Sequence, residues 1–202
     1  KAFVKVEKTF VSGKLPRVIV ASDNAFQVFC GPSIHHFDHT LQEFLDCTHL
    51  VRGIRLWFTV GWTQARLSQE FTNATDVAKA WDGTSRSWIR HVTVFVLGDD
   101  NLTVFPNTPG TFMCFANDFS SFDTTHSENS FSIQEKLMRA CGVPPDVIAV
   151  IKATTKDINL SAMNFGGRFI AHWNMCSGNP NTCNGNSAIG CIVALYVLTY
   201  YP

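Results

Sequence analysis

The chain has 202 residues, 46% hydrophobic and 12% aromatic, which suffices for one good core with a smaller lobe and excludes a disordered segment. Lys plus Arg is 16 and Asp plus Glu is 16, so bulk charge points to no polyanionic partner. The distribution is less even, because residues 1–17 hold Lys1, Lys5, Lys8, Lys14 and Arg17 against Glu7 alone, a local basic patch. Seven cysteines, widely spaced and never in a CxxC pair, read as reduced, intracellular thiols. No secretory leader opens the chain and no long apolar run lacks polar interruption, so no transmembrane segment is expected. A first residue of Lys and an end soon after the last apolar stretch read as a piece of a longer polypeptide.

AFVKVEKTFVSGKLPRVIVAS reads as two extended segments around a Ser12-Gly13 turn, with cations on both arms. A helix is expected beyond Pro32, a good first-turn residue, with Phe37, Leu41, Phe44 and Leu45 on one face. IRLWFTVG at 54–61 reads as a strand, and TQARLSQEF and ATDVAKAW as helical turns. VTVFVLGDDNLTVF, at 92–105, places Gly98, Asp99 and Asp100 between two runs of strand-forming residues, the pattern of a hairpin with a tight turn. A PNTPG loop then leads to the strand TFMCFAN at 111–117. SENSFSIQEKLMRACGVPP predicts a helix capped by Ser127 and closed by Gly142. DVIAVIKATTKD predicts another, INLSAM and RFIAHW a second hairpin, and an apolar buried helix runs from Thr182 to Tyr200.

The three central strands form an antiparallel meander. The chain leaves the tip at Asp100, turns near residue 108 and returns by residue 117, so Asp118 is expected beside Asp99. Carboxylates a few ångström apart repel by about 4 kcal/mol at the effective dielectric of a protein surface. A cation resolves that conflict. Oxygen donors with room for water and phosphate suit Mg²⁺ or Mn²⁺ better than zinc.

Four segments then call for one explanation: FVKVEK with KLPRVI, GDD, DFSSFD and SGNPNTCNGN. Together they resemble motifs F, C, A and B of viral RNA-dependent RNA polymerases. Their order is permuted, since GDD precedes DFSSFD, which resembles the permutotetravirus enzymes and, more distantly, those of birnaviruses. The resemblance covers residues 1–20 and 91–200; the interval between them matches nothing nameable. It implies an α+β polymerase palm, an antiparallel sheet of RRM or ferredoxin-like kind backed by helices, with part of the fingers. Residues 1–90 would hold partial fingers and 91–202 the palm core, with the thumb absent and these residues inactive by themselves.

The resemblance assigns Asp99, Asp100 and Asp118 to catalysis and to holding two Mg²⁺ or Mn²⁺ ions. Lys5, Lys14 and Arg17 would line the nucleotide channel and neutralise the triphosphate, Arg17 gripping phosphate oxygens bidentately. Asp123, with Ser177, Thr182 and Asn186, would read the ribose 2′-hydroxyl, and Gly178 would let the loop approach the nascent pair. The partners implied are RNA template and nascent strand, nucleoside triphosphates and other viral replication proteins, in the host cytoplasm, within a viral replication complex or the virion. The reaction implied is template-directed nucleotidyl transfer to an RNA 3′ end.

Two rivals remain open. A non-catalytic RNA-binding domain of similar topology would display aromatic residues on its sheet face without paired aspartates. A metal-stabilised structural module would melt higher with divalent ions and ignore nucleotides. His35, His36, Asp38 and His39 do not read as a zinc site, because adjacent histidines diverge on a helix and no second ligand pair stands at zinc spacing.

Overall fold

A computed structural model of the chain describes residues 2–4, 18–20, 23–46, 50–84, 87–118, 122, 125–161, 168–173 and 181–200. Contacts divide it into two compact units: Lys1–Phe37 with Ser121–Thr182, and Asp38–Ser120 with Cys183–Pro202. The elements in chain order are β1 (Ala2–Val4), β2 (Val18–Val20), α1 (Asn24–Asp46), β3 (Leu50–Val51), β4 (Ile54–Phe58), α2 (Gln64–Lys79) and a 3₁₀ turn at Trp88–His91. They continue with β5 (Thr93–Leu97), β6 (Asp100–Pro106), β7 (Phe112–Asp118), α3 (Glu128–Ala140), α4 (Pro145–Lys156), β8 (Asp157–Ser161), β9 (Arg168–His172) and α5 (Thr182–Tyr200).

The unit holding the GDD turn is an α+β arrangement around a five-stranded sheet in the order β3-β4-β5-β6-β7. The sheet is mixed, not purely antiparallel as expected, because β4 and β5 run parallel. Parallel neighbours need a long crossover, and α2 supplies it. Residues expected in a separate amino-terminal region, those of β3 and β4, thereby share one sheet with the hairpin, and α2 packs on it. The two helical turns read from the sequence are one continuous α2, capped by Thr63, whose side chain accepts from the Arg66 N–H.

Strand alternation explains which faces are covered. Phe95 and Val104 are buried with Ala74 and Ala78 of α2, and Leu67, Phe71, Leu102 and Phe112 pack around them. Val96 points the other way, where α5 lies so close that a Cβ on Gly190 would meet its Cγ1 at 3.3 Å. Covered on both faces, β5 is a run of buried residues from Thr93 to Val96, as central strands are. β7 is the outermost strand and is largely exposed.

The other unit pairs β1 with β2 and β8 with β9, both antiparallel, and packs α3 against α4 around Phe131, Met138, Val147, Ile148 and Ile151. α3 starts on the expected Ser127, in a capping box with Ser130. It ends where expected too: Gly142 has φ 77°, its N–H donates to Arg139 O, and the Val143 N–H donates to Met138 O, the two bonds of a Schellman closure. α1 departs from expectation by starting at Asn24, which leaves Pro32 inside it. Pro32 and Val28, the residue one turn earlier, are both exposed, so the carbonyl that Pro32 cannot serve faces water. Phe44 is 71% exposed, off the buried face that Phe37 and Leu41 share.

Candidate active site

The hairpin tip is a two-residue turn, because Leu97 pairs with Asp100. Gly98 has φ 62°, and glycine with positive φ at the first central position marks the II′ turn that suits strand twist. A Cβ here would meet nothing nearer than Cys183 Sγ at 4.0 Å, so backbone conformation, not space, requires glycine. The Gly98 N–H donates to Ser187 Oγ at 2.6 Å. α5 thus holds the turn that carries Asp99.

β6 and β7 pair from Asp100↔Asp118 to Pro106↔Phe112. The turn between them centres on residue 109, one residue later than the sequence suggests, and Asp118 therefore faces Asp100, with Asp99 one step beyond at the tip. Directly opposed residues have Cβ atoms about 5 Å apart, and like charges there are destabilising. Asp99, Asp100 and Asp118 are all exposed. The Asp100 carboxyl is held above the usual carboxylate range, by desolvation first and then by the charges of Asp99 and Asp118. The loop between the strands is held by Thr108 and Thr111, whose hydroxyls bond at 2.6 Å, and by the Gly110 N–H donating to Lys79 O.

Three oxygen-donor side chains, free of thiolate and imidazole, fit Mg²⁺ or Mn²⁺. Among the described residues no group of three His, Cys, Asp or Glu stands assembled as a metal cage. Magnesium asks for less, since one or two carboxylates with water and phosphate oxygens complete its octahedron.

Of the residues assigned to nucleotide binding, Lys5, Lys14, Arg17, Asp123, Ser177 and Gly178 lie outside the described residues. Thr182 is half-buried at the first position of α5. Asn186 is 3% exposed, beside the Ser187 that holds the turn. Ser187 itself went unrecognised from sequence, as did Gly190. Gly185, Ser187, Ala188 and Gly190 were the available signal, since only small side chains let a helix approach a turn this closely. Cys183 also borders the turn, its thiol pushed up by desolvation and then by Asp38 and Asp99. Cys191, behind it on α5, is buried and pushed up to about 12.

His36 Nε2 lies 3.1 Å from the Cys141 carbonyl, an ordinary side chain to backbone bond. Of the tryptophans, Trp57 packs against the α2 core, Trp62 carries Arg66 over its ring at 4.1 Å, and Trp88 donates to Pro106 O. Among the described residues no helix is long and apolar enough to cross a membrane. α5 is buried from Gly185 to Cys191 but leaves Tyr196, Val197 and Tyr200 exposed, so it is not buried throughout as expected. No family model matches the chain, and comparisons with curated proteins and with solved structures give no match.

Proposed function

We propose that these residues form the fingers-palm core of a permuted viral RNA-dependent RNA polymerase, which transfers nucleotides to an RNA 3′ end on a template. The observation that carries this reading is the opposition of Asp100 and Asp118 across β6 and β7, with Asp99 on the adjoining turn. Two distant acidic segments converge at an exposed strand end where packing does not require them. Three neighbouring carboxylates weaken an apo fold, and they strengthen it once a cation sits between them.

In this reading Asp99 and Asp118 hold the metal edge and Asp100 assists. Two Mg²⁺ ions bound there would stabilise the attacking 3′ oxygen and the departing pyrophosphate of an in-line displacement. Arg17, Lys5 and Lys14 neutralise the triphosphate. Asp123 with Asn186, Ser177 and Thr182 bonds the 2′-hydroxyl, and Gly178 keeps the loop close to the nascent pair. The partners are template, nascent RNA and nucleoside triphosphates, in a replication complex of the host cytoplasm.

The rival RNA-binding domain needs aromatic residues on an open sheet face. Here Phe95 is 4% exposed under α2 while Phe115 on β7 is 59% exposed, so the aromatic residues do not decide, and the opposed aspartates, which that rival does not need, favour the enzyme. Primer extension by the polypeptide that carries these residues tests the reading. Incorporation should require Mg²⁺ or Mn²⁺ and vanish in both Asp99→Asn and Asp118→Asn. Substantial activity in either variant at saturating nucleotide would sink the two-metal assignment.

A further inference from the structure

At the opposite end of α5 from the GDD turn, a second feature breaks a local rule. Val51 pairs with Ile54, so β3 and β4 are joined by the two-residue turn Arg52-Gly53. Arg52 has φ 53° and Gly53 φ 91°, the left-handed pair of a I′ turn. Asn, Asp and Gly fill its first position at little strain. Arginine does not, and a strained residue kept in such a place is a pointer to function.

Arg52 opens onto a cleft of about 250 Å³ lined by itself, Leu195, Tyr196, Thr199 and Tyr200. The two tyrosine rings lie 4.9 Å apart, tilted by 40°, and are 53% and 59% exposed. Among the described residues no carboxylate lines the cleft. Arg90 flanks the same turn, since a Cβ on Gly53 would meet its Cγ at 3.7 Å. Among the described residues neither arginine makes an ion pair. A forked cation with unspent donors therefore shares a cleft with two exposed aromatic rings, roughly 14 to 20 Å along the helix axis from Ser187.

We propose that Arg52, Tyr196 and Tyr200 form a binding site for single-stranded RNA remote from the GDD turn. Bases stack on the tyrosines, and a phosphate accepts the forked bonds of Arg52. Such a platform holds a strand regardless of sequence, because every base has a π face. The choice of RNA as the strand rests on the polymerase reading; the cleft's chemistry does not.

The test is fluorescence anisotropy of a short labelled oligouridylate with the 202-residue chain, in chelator so that metal binding plays no part. Tyr200→Ala should weaken binding roughly tenfold, while Tyr200→Phe keeps the stacking face and the affinity. Arg52→Asn suits the left-handed turn better and preserves the fold; it should weaken binding and reduce the salt slope by about 0.7, the share of one phosphate on a single strand. Loss in Tyr200→Ala with retention in Tyr200→Phe supports the site. Unchanged affinity and slope in Tyr200→Ala and Arg52→Asn overturn it and leave the cleft to a protein partner, as does the absence of measurable RNA binding. A polymerase assay that fails leaves this result intact, so the two readings fail separately.

Discussion

The Gly98 N–H reaches Ser187 Oγ across 89 positions of sequence at 2.6 Å, so the tip of the β5–β6 hairpin is positioned by α5 and not by the hairpin alone. Ser187→Ala removes the acceptor and leaves a half-buried donor unsatisfied, at about 1–3 kcal/mol. For a chain of this size each kcal/mol lowers the melting temperature by about 2–4 °C. Thermal unfolding should show that loss, and primer extension should fall further than the folded fraction, because Asp99 rides on the same turn. An unchanged melt would mean that water replaces the hydroxyl at no cost.

Gly98 itself is required by conformation. At φ 62° an alanine is strained by about 1–2 kcal/mol although nothing crowds its Cβ. Gly98→Ala should therefore destabilise the chain in urea. D-alanine introduced at 98 by chemical ligation, for which positive φ is the ordinary side, should restore most of the loss. Equal loss in both would point to steric crowding in place of backbone strain.

How much of this was legible in sequence follows from the range of the interactions. Ser127 and Gly142 sit at the ends of α3 as read, because capping depends on neighbours within a few residues. The Gly98 turn and the pairing of β5 with β6 were legible for the same reason. The parallel pairing of β4 with β5 was not, since it depends on α2 folding back and not on any local pattern. Pro32 misled because a proline suited to a first turn also survives inside a helix when the carbonyl one turn earlier faces water. Around Ser187 the small residues hinted at a close approach but not at its partner, and Gln134 carries no local signal: one bonds a turn far away in sequence, and the other, 1% exposed, accepts from Asn181 Nδ2 at 3.1 Å inside its own unit.

The crowded carboxylates predict a pH effect with a definite sign. Asp100 has its folded pKa raised by desolvation, then by Asp99 and Asp118. A raised acid adds stability while protonated, below the ordinary Asp value of about 3.9, and that contribution is lost as pH rises through the folded pKa. Asp100→Asn should accordingly melt higher than the parent at pH 7, and the difference should close by about pH 3, where both are neutral at this position. Mg²⁺ at pH 7 should raise the melting temperature of the parent and have less effect on Asp118→Asn. Matching melts for parent and Asp100→Asn across the pH range would remove the repulsion argument.

Sugar choice gives the sharpest test of the assigned nucleotide residues. Asn186 is 3% exposed on α5, next to the serine that anchors the GDD turn, and is proposed to read the 2′-hydroxyl with Asp123. A site built to bond a hydroxyl rejects the analogue that lacks it, because its own polar groups are left unpaired at about 1–3 kcal/mol each. Asn186→Ala should lower the ratio of ribo- to deoxyribonucleotide incorporation efficiency by roughly tenfold or more, about 1.4 kcal/mol per factor of ten. The loss should fall on ribonucleotides. If Asn186 only packs the start of α5, both sugars lose efficiency equally and the ratio holds. Competition between matched ribo- and deoxyribonucleotides on one template separates these outcomes, and a constant ratio would withdraw Asn186 from sugar reading while leaving the carboxylate site untouched.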